Sequence, residues 1–86
     1  MIFDWDEHNF EHIAEHDLDP DNVEDAFYNR NVPAPAYNIR GEGRHALIST
    51  TDAGRIIYVI YTRRNGKIRV VTARDAKVSE KRRYRR

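Results

Sequence analysis

Apolar and polar positions alternate most regularly toward the C-terminal half of the chain. In residues 55–61, Ile56, Tyr58 and Ile60 fall on one side of an extended backbone and Ile57, Val59 and Tyr61 on the other. Apolar residues on both sides predict a central strand that needs cover on both faces. Arg64-Asn65-Gly66-Lys67 comes next, and Asn-Gly tolerates positive φ at both centres of a tight turn. Residues 68–74 are therefore predicted to return as the antiparallel partner, with Ile68, Val70, Thr72 and Arg74 on one side and Lys67, Arg69 and Val71 on the other. Upstream, residues 44–50 and 37–40 read as two further strands, with turns at Gly41-Glu42-Gly43 and at Thr51-Asp52-Ala53-Gly54.

The N-terminal third has helical spacing instead. Phe3 and Trp5 alternate in a short segment suited to a sheet edge, and Asp6 is an N-cap for a helix over residues 7–16 whose stripe is Phe10, Ile13 and Ala14. Asp19 before Pro20 starts a second helix to about Tyr28, with Val23, Ala26 and Phe27 turned inward. Residues 29–36, NRNVPAPA, form an extended linker, because two closely spaced prolines exclude helix and favour polyproline or edge geometry. Asp75 is placed to cap a last helix through residues 76–84. The sum is an α+β domain of two N-terminal helices, an antiparallel sheet of about four strands and a C-terminal helix, with the helices packed on one sheet face.

Length and composition narrow the classes. A chain of 86 residues is expected to make one domain, residues 1–86, with a single modest core. It has no cysteine, which excludes a disulfide framework and a thiolate metal site and makes a reducing cytoplasm the expected compartment. No apolar run approaches the length of a membrane span, and the first residues carry acids where a secretory leader needs bases. The net charge of +1 hides a division: residues 1–30 hold ten acids and one base, residues 31–86 four acids and fourteen bases. Such asymmetry points to nucleic acid or an acidic partner, or else to an acidic half that complements a basic half within the fold.

The basic residues form the better candidate for chemistry. Arg63 and Arg64 close one strand, Arg44 and His45 begin an earlier one, and Lys67, Arg69 and Arg74 lie on the last. Guanidinium groups converging on a sheet can clamp phosphate through paired hydrogen bonds, and Tyr58, Tyr61 and Tyr84 among them offer rings on which bases stack. A solvated, salt-bridged face is the competing reading. No nucleophile elbow and no glycine-rich phosphate loop is present. RNA cleavage asks for less, because the substrate's 2′-hydroxyl is the nucleophile and the protein need only orient, neutralise charge and move protons. His8, His12 and His16 are four apart on the first helix, a spacing at which imidazoles can share a metal, or simply face solvent.

Several segments resemble one family. Phe3-Asp4-Trp5-Asp6, Asn9, His16, Ala26-Phe27, Tyr61-Thr62-Arg63, Ile68-Arg69-Val70, Thr72-Ala73-Arg74, Ala76, Glu80 and Tyr84 are similar to the BrnT toxins of type II toxin-antitoxin systems, within the wider RelE/ParE-like group. The resemblance implies a RelE-like compact sheet flanked by helices, an endoribonuclease that arrests translation, no metal or other cofactor, and no membrane. It implies neutralisation in a hetero-oligomer by a cognate DNA-binding antitoxin, whose toxin-binding segment the basic surface predicts to be acidic. Position by position, it makes Arg74, Glu80 and Tyr84, with Arg63 or Arg64, the site. Arg64, Arg74, Glu80 and Tyr84 are thus the catalytic candidates, and Arg44, His45, Arg63, Lys67 and Arg69 the RNA-phosphate candidates. Tyr84 or His45 would transfer protons, and Glu80 would orient an arginine or act as base. In the sequence Glu15-His16-Asp17 stands where the family has lysine-histidine-glycine, which bears on how the first helix ends. The alternatives are a non-catalytic module that binds nucleic acid or docks an antitoxin, and a metal-binding regulator using the three histidines. An antitoxin role fits less well, because antitoxins carry disordered tails and this chain is patterned almost throughout.

Overall fold

A computed structural model of the chain describes residues 1–36 and 43–86. In chain order the elements are α1 (Glu7–Ala14), α2 (Pro20–Tyr28), β1 (Val32–Ala34), β2 (His45–Thr50), β3 (Ile56–Arg64), β4 (Lys67–Asp75) and α3 (Val78–Arg85). The strands form an antiparallel meander in the order β1-β2-β3-β4. Two N-terminal helices, a four-stranded sheet and a C-terminal helix are as expected. The strand expected at residues 37–40, and Gly41 and Glu42 of the following turn, lie outside the described residues. Among the described residues the fourth strand is Val32-Pro33-Ala34, from the proline-rich linker. It sits at the sheet edge, where a residue without an amide proton is tolerated.

The local signals explain the element boundaries. The Asp6 carboxylate accepts from the Asn9 amide at 2.9 Å and caps α1. Asp19 and Asn22 bond each other's backbones at 2.9 and 3.1 Å, a reciprocal box that starts α2 with Pro20 in its first turn. α1 ends two residues earlier than predicted, in a left-handed Asp17 with φ 57°. The Leu18 amide donates to the Ile13 carbonyl at 3.1 Å and the Asp17 amide to Ala14 at 3.0 Å, while Ile13 and Leu18 are both buried. That is a Schellman ending in which aspartate stands where glycine is favoured. Asp17→Gly is therefore expected to raise stability by about 0.5–1 kcal/mol and Asp17→Val to lower it by at least as much, read as opposite shifts of the urea midpoint.

The hairpin turn forms as predicted, with Asn65 at φ 54° and Gly66 at φ 76°. The β3–β4 register, however, slips between Ile60 and Tyr61: Ile60 faces Thr72 and Tyr61 faces Val70, leaving Val71 as a bulged extra residue. The bulge corrects the simple alternation expected for β4. Before it, Ile68 and Val70 share the face of Val59 and Tyr61. After it, Thr72 and Arg74 oppose Ile60 and Tyr58 and so lie on the other face, which Arg69, opposite Thr62, also shares.

Both faces of the sheet are covered, as the central-strand pattern requires, but by different helices. Ile13, Leu18, Val23, Ala26 and Phe27 of the first two helices and their connection pack on Leu47, Ile57, Val59, Ile68, Val70 and Ala73. On the opposite face Ala46, Ile48, Tyr58 and Ala76 are joined by Ile56, Ile60 and Tyr84. α3 thus lies across the sheet from α1 and α2, which corrects the expectation of helices on one face. Its Lys77 occupies the N-cap position expected of Asp75, whose carboxylate instead takes the Arg55 Nε at 2.7 Å. Arg55 also donates to the Asp17 and His16 carbonyls, so one guanidinium seals the end of α1 against the sheet. The predicted α1 stripe is rotated by one residue: Asn9 and Ile13 are buried, whereas Phe10 is exposed and stacks on Trp5 at 5.7 Å. The outer edge of β4 is shielded by the N-terminal segment, where the Asp4 amide donates to the Ile68 carbonyl and the Ile68 amide to Ile2, each at 2.8 Å.

Candidate active site

The candidate residues fall into two groups, one around α3 and one where α1, along the β4 edge, meets the β3–β4 hairpin. The first surrounds α3. Arg74 Nη1 and Nη2 donate to Glu80 Oε1 and Oε2 at 2.8 and 3.0 Å, a two-pronged pair that also lays the guanidinium over the Tyr58 ring at 4.3 Å. Glu80 is buried and additionally accepts from the Lys77 amide at 2.8 Å. The Arg74 guanidinium, with that amide, holds the Glu80 carboxyl below the usual glutamate range despite burial. The Tyr84 hydroxyl donates to the Arg30 carbonyl at 2.9 Å, and the Arg30 guanidinium covers its ring at 4.5 Å. All three residues thus bond within the fold.

The second group lies beyond the bulge, where β3 and β4 approach their hairpin. Arg44, Arg64 and Arg69 line one cleft of about 480 Å³ together with Thr62, Val71 and three residues of α1, His8, Asn9 and His12. Arg69 is tied to Asp4 at 3.4 Å and to Asp6 by a shorter contact, and the bond from the Asn9 amide, with that guanidinium second, holds the Asp6 carboxyl below its ordinary value. Among the described residues neither Arg44 nor Arg64 has a carboxylate partner. Among the described residues two buried polar atoms of cleft-lining residues lack any hydrogen bond, Arg44 Nε and Asn9 Oδ1. Such an orphan costs about 1–3 kcal/mol.

The remaining candidates stand apart. His45 begins β2 with its ring 5.4 Å from Tyr61, on the α2 side of the sheet and away from the cleft. Arg63 and Lys67 are exposed beside the hairpin turn. Sequence reasoning set His8 and His12 aside except as metal ligands. The structure brings their rings to 4.4 Å of each other at the cleft and leaves His16 beyond the end of α1. Among the described residues no three histidine, aspartate or glutamate side chains converge on a metal position. The four-residue spacing did place the pair on one helical face; which surface that face meets is set by α1 packing along β4.

A family model described as ribonuclease toxin, BrnT, of type II toxin-antitoxin system matches residues 5–80. The chain belongs to the BrnT family. The resemblance carried by Tyr61-Thr62-Arg63 and Thr72-Ala73-Arg74 therefore holds at family level, and with it a ribonuclease toxin as the family's character. The matched span takes in both arginine groups and Glu80, while Tyr84 lies beyond it. No curated protein and no solved structure matches significantly. Among the described residues no helix is long and apolar enough to cross a membrane.

Proposed function

We propose that this chain is a cytoplasmic, metal-independent endoribonuclease toxin that holds the RNA backbone in the cleft between α1 and the β3–β4 hairpin. The observation that carries the reading is the convergence of Arg44, Arg64 and Arg69 on one cleft that also holds an unpaired buried donor and acceptor. Guanidinium groups there would neutralise the phosphate as the 2′-hydroxyl attacks and negative charge accumulates on the pentacovalent phosphorus. Arg63 and Lys67, exposed at the adjoining turn, extend the track for flanking phosphates. Arg74, Glu80 and Tyr84 enter as residues that fix α3 on the same face, with Arg74 adding its charge to the field along it. The toxin would arrest translation by cutting RNA. A DNA-binding antitoxin would neutralise it through an acidic segment laid over the cationic face.

The commitment of Arg74, Glu80 and Tyr84 to internal bonds favours a second reading, a module that binds RNA or its antitoxin without turnover. Incubating the purified chain with RNA in the presence of a chelator separates the two. Saturable cleavage into fragments with 2′,3′-cyclic phosphate and 5′-hydroxyl ends is expected. Tight binding that leaves the RNA intact would establish the module instead.

A further inference from the structure

Resting on the endoribonuclease reading, we propose that His12 is the group that takes the proton from the attacking 2′-hydroxyl. Its Nδ1 lies 3.2 Å from the carbonyl oxygen of Val71. A carbonyl oxygen only accepts, so Nδ1 carries the proton of the neutral ring and Nε2 keeps a lone pair. The anchor exists because of the bulge: Val71 is the residue that the β3–β4 register skips, and its carbonyl receives a side chain from α1 instead. His12 and Val71 both line the cleft that contains Arg44, Arg64 and Arg69, so a lone pair with a fixed ring orientation stands beside the cationic pocket. Of the two proton-transfer candidates read from the sequence, Tyr84 has its hydroxyl bonded to the Arg30 carbonyl and His45 stands away from the cleft. The charged and titratable groups around His12 are His8 one turn earlier on α1, Arg69 on β4 with Asp4 and Asp6 attached, Arg64 on β3 and Arg44 before β2.

The step balances as a transesterification. The 2′-hydroxyl proton passes to His12 Nε2 as the 2′-oxygen bonds to phosphorus. The bond from phosphorus to the 5′-oxygen breaks with its electron pair on that oxygen, which takes a proton from water. The resulting hydroxide recovers the proton from the imidazolium, leaving a 2′,3′-cyclic phosphate and a 5′-hydroxyl.

The test compares His12→Gln with the parent on a short RNA and on its 2′-O-methyl analogue, which binds but cannot react. The expected result is a loss in kcat of about 10²–10⁴-fold, unchanged affinity for the analogue, and disappearance of the acid limb of the parent's pH–rate profile. Circular dichroism and the thermal midpoint verify that the variant is folded. Cleavage by a folded His12→Gln within a few-fold of the parent would overturn the assignment while leaving the ribonuclease reading intact. So would recovery of the parent's rate on an RNA with a 5′-thio leaving group, since that substrate needs no acid and recovery would make His12 the proton donor. A parent that binds RNA and never cuts it overturns the reading and this assignment together, and only that result touches both.

Discussion

Replacing Arg74 with alanine is expected to destabilise the fold by about 3 kcal/mol, because it strands a buried carboxylate. Glu80 is 7% exposed, and both of its oxygens are satisfied by the two guanidinium nitrogens of Arg74. At about 4–8 °C per kcal/mol for a domain of this size, the thermal midpoint should fall by about 12–24 °C. The loss is specific to charge and position. α3 buries only Glu80 and is otherwise strongly polar, so this pair, the Arg83 bond to the Pro33 carbonyl at 3.1 Å and the Tyr84 bond to Arg30 hold the helix over Ala46, Ile48 and Ile60. Acid should show the same contact from the other side. The Glu80 carboxyl is held below its ordinary value of 4.5, so its contribution is complete above that value and drains away as pH falls through the depressed one. The gap between parent and Arg74→Ala should therefore narrow as pH falls below that ordinary value, measured by denaturation across the acid range. A reversed pair, Arg74→Glu with Glu80→Arg, separates anchoring from catalysis. If the reversed protein folds and cleaves RNA, Arg74 serves through α3. If it folds and is inactive, Arg74 touches the phosphate.

The elements that depend on nearest neighbours were readable from the chain. Asn65-Gly66 fixed a turn that only positive φ allows, Asp6 and Asp19 marked two helix starts, and the doubly apolar β3 announced cover on both faces. What the chain concealed were consequences of one skipped residue and of packing between distant segments. The Val71 bulge carries no composition signal, yet it reverses the side on which Arg74 lies and sets it on the same face as Arg69. Phe10, exposed, stacks on Trp5, a partly buried ring that packs on the core and donates its indole N–H to Glu24 at 2.7 Å. Asn9 takes the buried position instead. The cationic side of the site was legible because charge is counted residue by residue. Its union with His8, Asn9 and His12 was not, since more than fifty residues separate α1 from β4, the strand along which it lies.

Removing Arg44 and Arg64 together is expected to lower kcat/KM on RNA by about 10³-fold while leaving the fold intact. A single oxyanion donor contributes about 10²–10³-fold, and under the proposed reading the two would act on one phosphate, so their losses should overlap rather than multiply. Binding to single-stranded RNA should also lose salt dependence, the slope against log salt shrinking by about 0.7 for each phosphate contact removed. Arg69 is the wrong residue for this test, because its loss would release Asp4 and Asp6 and disturb the start of α1. Arg64 is exposed and should cost the fold nothing measurable. Arg44 is more telling, since its Nε is a buried donor with no acceptor and the free protein bears the penalty of desolvating it. Arg44→Met should remove that penalty and keep the aliphatic packing, raising stability by about 1 kcal/mol as it abolishes most cleavage. An arginine that weakens the fold it sits in and strengthens the reaction is kept for its ligand, and opposite signs in the melting and cleavage assays would establish that for Arg44. A loss of both stability and activity would instead make Arg44 part of the scaffold and move the phosphate site toward Arg64 and the hairpin turn.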